Sequence, residues 1–155
     1  MRHRGMTLIE LMVVVAILVI LASVAAPSFR TFLATMNSKS VAFDLVGDLT
    51  FARAEAIKRN LPVTVSATGG DWAKGWAVAT VEATPQSLRT RSALGWSIKV
   101  TSAASTVQFR VNGRLQDDVN DSNLNWGVES TISGVKKRCI VITPTGTARS
   151  KMEAC

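Results

Sequence analysis

The chain has 155 residues, enough for one domain with a real core and too few for several. Its formal net charge of +7 suits an anionic partner such as nucleic acid, anionic lipid or an acidic protein face, and equally suits simple solubility. The single histidine, His3, excludes a Ser/His/Asp catalytic set in the body of the chain, and two cysteines with no histidine nearby exclude a four-ligand zinc site.

The first element is MRHRG followed by an apolar run over residues 6–26, which holds most of the hydrophobic excess. Ala25 and Ala26 are small enough for a signal-peptidase site, but Pro27 follows at once. As a helix, residues 6–26 would extend about 30 Å at ~1.5 Å per residue, the thickness of a bilayer core. Arg2 and Arg4 place its start on the cytoplasmic side, so the rest of the chain is expected outside the cytoplasm. In that setting Cys139 and Cys155 are expected to form a disulfide. Glu10 is the anomaly, because a carboxylate in a bilayer helix is costly and marks function by default. One reading is an interfacial glutamate eased by the helix dipole. The other needs a positive partner inside the apolar layer. A new N-terminal amine, made by cleavage between Gly5 and Met6 and offered by a neighbouring copy, would serve.

The stretch RGMTLIELMVVVAILVILASVAAPSF closely resembles the leader and N-terminal segment of type IV pilins and pseudopilins. The resemblance implies a leader over residues 1–5, cut after Gly5 by a prepilin peptidase, and N-methylation of the new first residue, Met6. It also implies that Glu10 pairs with the N-terminal amine of an adjacent subunit and that Pro27 is the proline that softens the helix. The partners implied are other major and minor pilins and an inner-membrane assembly platform. The implied location is the inner membrane, with the N-terminus cytoplasmic and the head periplasmic, and then the filament.

The helix is expected to continue past Pro27 over residues 27–60, despite the lost hydrogen bond. Val41, Leu45, Leu49, Ala52 and Ala56 recur at spacings of three and four, with Phe43, Val46, Thr50 and Ile57 widening the stripe. Lys39, Asp44, Asp48, Arg53 and Lys58 fall off it, and Asn60-Leu61-Pro62 ends it. Residues 61–155 then read as a β-rich head with a C-terminal disulfide loop. LPVTVSAT, KGWAVATVE, LGWSIKVT, TVQFRV and KRCIVIT read as strands, with Gly69-Gly70, Pro85, Asn112-Gly113 and Pro144 as turn signals. Leu94, Trp96, Ile98 and Val100 alternate onto one face, as do Val107, Phe109 and Val111, which places Trp96 in the core, whereas Trp72 and Trp76 lie near turns. The fold class expected is α+β: a long N-terminal helix packed on an antiparallel sheet.

FARAEAIKRNLPVTV, VQFRVNGR and CIVITPTGTAR resemble the helix-end and strand-turn signatures of the FimT, FimU and GspH group of minor pilins and pseudopilins. Residues 69–105 and 115–135 carry little of this likeness.

No GxSxG, P-loop or GxGxxG is present, and neither an enzyme nor a cofactor is expected. Asp117, Asp118 and Asp121 in the polar stretch DDVNDSNLN read as a solvated surface loop rather than a calcium site, and Asn120-Asp121-Ser122 matches a glycosylation pattern too short to weigh. The tail carries Lys136, Lys137, Arg138, Arg149 and Lys151 against the single carboxylate Glu153. Closing Cys139 on Cys155 would add about 3 kcal/mol in the chain-entropy model and gather these cations around one loop. Phosphates reward such a patch through counterion release. In the FimT branch some members bind DNA through a C-terminal Gly-Arg-x-Arg pattern. Here Gly146-Thr147-Ala148-Arg149 keeps only the second arginine, and the alternative is that these charges simply face solvent. Without an aromatic platform beside the tail, stacking on single strands has no support. The reading is a minor type IV pilin that helps prime or build the filament. The alternatives are a DNA-binding minor pilin for transformation and a GspH-like pseudopilin of type II secretion.

Overall fold

The computed structural model describes residues 7–102, 104–116 and 124–155. One helix, α1, runs unbroken from Leu8 to Arg59, 52 residues in all. Thr7 caps its start in an extended conformation, and Asn60 closes its end in the left-handed region at φ 52°. Pro27 lies inside it. Proline lacks the N–H that would bond the Ser23 carbonyl, so the ladder has a gap there. The hydroxyls of Ser23, Thr31 and Thr35 bond back to the carbonyls of Ile20, Pro27 and Thr31, which keeps the flanking turns polar-satisfied.

Eight strands follow among the described residues: β1 (Val63–Ala67), β2 (Trp76–Thr80), β3 (Ser87–Arg91), β4 (Ile98–Ser102), β5 (Thr106–Phe109), β6 (Leu124–Ser130), β7 (Arg138–Ile142) and β8 (Ala148–Lys151). They form two antiparallel sheets rather than the single sheet expected, in the orders β3-β2-β1-β5 and β4-β6-β7-β8. The core lies between these sheets and the second half of α1. Val41, Leu45, Leu49, Ala52 and Ala56 supply the helix side, and Val63, Val65, Val78, Val107 and Phe109 the first sheet. Trp126, Val128, Ile140 and Ile142 supply the second.

The buried stripe of α1 is narrower than the periodicity suggests. Phe43, Thr50 and Ile57 are exposed, while Ala34, Ser38, Ala42 and Glu55 are buried instead. Ala34, Ser38 and Ala42 are small enough to let the helix approach the head closely, and Glu55 is taken in with its partner Arg59. The tryptophans also depart from expectation. Trp72 and Trp76 are buried, and Trp72 stands edge-on to Trp126 with ring centroids 5.5 Å apart. Both indoles are satisfied, Trp72 by the Ala104 carbonyl at 2.8 Å and Trp76 by the Asp48 carboxylate at 2.8 Å. Trp96 is 86% exposed: β4 begins only at Ile98, so Trp96 sits on the preceding turn, closed by the Ile98 amide bonding the Gly95 carbonyl. For the same reason Val111, beyond the end of β5, is exposed.

β3, β6 and β8 lacked a readable pattern. β3 is an edge strand of sequence SLRTR. Its register sets Arg89 and Arg91 opposite Val78 and Trp76, on the helix-facing side. There Arg91 pairs with Asp44 at 2.7 Å, Arg89 pairs with Asp48 at 3.1 Å, and the Arg89 guanidinium lies 3.6 Å from the Phe51 ring centroid. Polar side chains thus hold this edge to the helix where hydrophobic alternation is absent.

Candidate functional site

The N-terminal half of α1 buries nothing within the molecule. Every residue from Thr7 to Arg30 is exposed, including Leu8 at 76% and Ile9 at 70%. So much contiguous apolar surface on a helix is stable only against lipid or other apolar helices. Its length and composition suffice to cross a membrane.

Glu10 stands in the first turn of this helix. The Glu10 amide donates to Thr7 Oγ1 at 3.3 Å, and the Thr7 amide and hydroxyl donate to Glu10 Oε2 at 2.9 and 3.0 Å. This reciprocal capping box satisfies orphan amides at the positive end of the helix dipole. Glu10 Oε1 makes no bond among the described residues, so the carboxylate keeps one oxygen for a further partner. Gly5 and Met6 lie outside the described residues.

At the other end of the chain Cys139 is bonded to Cys155, with Cα atoms 4.9 Å apart. Cys139 sits in β7 and stands opposite Lys151 of β8. The basic residues do not gather into one patch. Arg149 and Lys151 share the outer face of β8, opposite Val141 and Cys139. Arg138 stands opposite Val128 and so belongs to the other face of the sheet. Lys136 and Lys137 lie on the loop before β7, exposed. Lys137 pairs with Glu129 at 2.8 Å and Lys151 with Glu153 at 3.3 Å. No group of three or more metal-ligating side chains occurs among the described residues, and Asp117, Asp118, Asn120 and Asp121 lie outside them.

The three sequence signatures converge at the end of the head far from the apolar half of α1. Arg53 Nε donates to the Gly113 carbonyl at 3.1 Å, and the Leu115 amide donates to the Pro144 carbonyl at 3.1 Å. Gly113 and Gly146 adopt φ of 75° and 79°. A Cβ on Gly146 would collide with the Gly113 carbonyl, and one on Gly113 would come within 2.7 Å of Ile57 Cδ1. FARAEA, VNGR and PTGTA therefore make a joint that holds two turns on the helix.

Residues 41–146 match the family described as Type II transport protein GspH, and residues 1–26 match the prokaryotic N-terminal methylation motif. The chain belongs to the GspH family. The methylation motif falls on the apolar half of α1, the part of the helix long and apolar enough to cross a membrane. Comparison with curated protein sequences yields no match. Among solved structures, the type IV minor pilin FimU of Pseudomonas aeruginosa is similar with a TM-score of 0.59 at 22% identity, over 74% of this chain and 87% of FimU. The minor pseudopilin EpsH of the Vibrio cholerae type 2 secretion system is similar with a TM-score of 0.59 at 12% identity, over 75% of this chain and 97% of EpsH. Both likenesses concern the fold, which is the α+β pilin fold expected from the sequence.

Proposed function

We propose that this GspH-family chain is a minor type IV pilin that helps prime or build a filament. The observation that carries the reading is the division of labour along α1: an apolar half exposed on every side, continuous with a half locked into the head. In this reading the leader is cut after Gly5, Met6 is methylated, and the chain waits in the inner membrane until the assembly platform extracts it. Residues 6–26 then exchange lipid for neighbouring pilin helices. Glu10 sets the register, its free Oε1 accepting the N-terminal ammonium of an adjacent subunit while Oε2 stays with Thr7. Pro27, by removing one backbone bond, lets the helix bend during extraction.

The test replaces Glu10 by alanine in cells. The expected result is a cleaved, membrane-held, folded protein that is missing from sheared filaments. Normal incorporation of Glu10→Ala would sink the register role. A deletion strain with intact pili but a defect in protein export would assign the chain to type II secretion instead.

A second reading, DNA contact during transformation, rests on Arg149 and Lys151 sharing one exposed strand face beside the disulfide. It predicts salt-sensitive binding of double-stranded DNA by the oxidised head, lost in Arg149→Ala with Lys151→Ala. Absence of binding at low salt would remove it.

A further inference from the structure

The head touches α1 lowest at its loops before β4 and β7. A cleft of about 510 Å³ there is lined by Arg30, Leu33, Ala34, Asn37, Trp96 and Ile132, among others. The Thr131 amide donates to the Ser97 carbonyl at 2.9 Å, tying the two loops together. A Cβ on Gly134 would lie 3.5 Å from Thr31 Cγ2, which fixes the second loop against the helix. Lys136 and Lys137 follow on that loop, and the signature joint at Arg53 marks the opposite end.

The helix sets the height of this end. From Ala26, the last residue of the apolar span, Arg30 is about 6 Å and Leu33 about 10 Å further along the axis at ~1.5 Å per residue. The polar headgroup layer of a bilayer is roughly 5–7 Å thick on each side of the hydrocarbon. Arg30 and the loops beside it therefore stand at or just above headgroup level whenever residues 6–26 occupy the hydrocarbon.

The chemistry at this height matches that layer. Trp96 is 86% exposed, whereas Trp72, Trp76 and Trp126 are each 3% exposed or less. An indole with an apolar body and one N–H is the side chain favoured at a membrane interface. Phe29, Phe32 and Leu33 continue the exposed apolar surface of α1 up to it. Arg30 and Lys136 make no ion pair among the described residues, and Glu129, beside the second loop, is taken by Lys137. The charge left over is positive.

We infer that Trp96, Arg30 and Lys136 form a docking surface for the anionic phospholipid headgroups of the bilayer that holds the chain's own helix. The inference rests on the membrane-anchored reading proposed above. Continuity with the apolar helix favours lipid over a neighbouring pilin, because the helix holds this end at the lipid surface in every anchored molecule. Cations beside an indole also suit phosphates better than another apolar helix. Docking would fix the tilt of the head before extraction.

The full chain is reconstituted in vesicles of phosphatidylcholine, with or without phosphatidylglycerol, brominated near the carbonyl end of the acyl chains. Only Trp96 is open to a lipid-borne quencher, so quenching reads its position. The expected result is emission quenched by the lipid, more strongly with phosphatidylglycerol, relieved by high salt and absent in Trp96→Phe. Arg30→Gln and Lys136→Gln should each lower the ratio of docked to undocked heads about fivefold. Flotation of the same vesicles reports anchoring separately. A chain that floats while Trp96 is quenched only by aqueous iodide would overturn the docking surface and leave anchoring intact. Equal quenching with and without phosphatidylglycerol would also overturn it. A chain that fails to float would overturn both readings. Protection of Trp96 only when other pilins are added would give the surface to a neighbouring subunit.

Discussion

At the residue scale, single side chains settle local questions with measurable consequences. Gly146 holds φ 79° and abuts the Gly113 carbonyl, so Gly146→Ala meets both backbone strain and a collision. It should destabilise the head by about 2 kcal/mol, read from urea unfolding. Trp76→Phe removes the bond to Asp48 inside the core and should cost about 1 kcal/mol in the same assay. Glu55 lies under the end of α1, where Arg59 bonds its carboxylate and Lys58 approaches to 3.7 Å. The Arg59 hydrogen bond lowers its pKa from the ordinary 4.5, against an opposing effect of burial. A lowered folded-state pKa means the contribution is complete above the ordinary value and is lost as pH falls through the lowered one. Glu55→Gln should therefore flatten the acid limb of the stability profile below about pH 4.5 and leave its slope near neutrality unchanged.

At the element scale, the disulfide and the helix proline matter most. Cys139 and Cys155 are 16 residues apart, and the bridge straps the tail across β7 and β8. Cys139→Ala with Cys155→Ala should lower stability by about 3 kcal/mol in the chain-entropy model, visible as an earlier thermal midpoint under non-reducing conditions. In detergent micelles, Pro27→Ala would restore the bond to the Ser23 carbonyl, and amide exchange around residues 27–31 should slow. The strands divide by legibility on the same physical ground. β1 and β2 alternate large apolar residues with small or polar ones because each has one face in the core, whereas β7 reads as an unbroken apolar run because Cys139 is buried beside Ile140 and Ile142. β3 is an edge strand held by arginine pairs, so its SLRTR carries no hydrophobic period. β8 alternates only Ala148 and Ser150 inward, residues too small to signal burial.

At the scale of the whole molecule, α1 joins two environments. Its core contribution begins at Ala34, and Thr7 to Arg30 are exposed along their whole length. A head that starts near residue 30 should therefore unfold at the same midpoint as the full chain in detergent. A large drop would show that the apolar half stabilises the head.

The sequence by itself determined the apolar N-terminal run, the exceptional place of Glu10, the continuation of the helix to Asn60 and the presence of a β-rich head. Those features are written in runs, periods and caps that involve neighbours along the chain. It also pointed to the Cys139–Cys155 pairing, on the expectation that the head lies outside the cytoplasm. Only the tertiary structure decided that the strands divide into two sheets, that Trp72 and Trp76 are core while Trp96 stands in the open, and that Arg149 and Lys151 part from Arg138. Each of these depends on where a strand begins and which strand lies beside it. A start two residues later takes Trp96 out of its alternating face, and one step of register decides the side of the sheet a cation occupies.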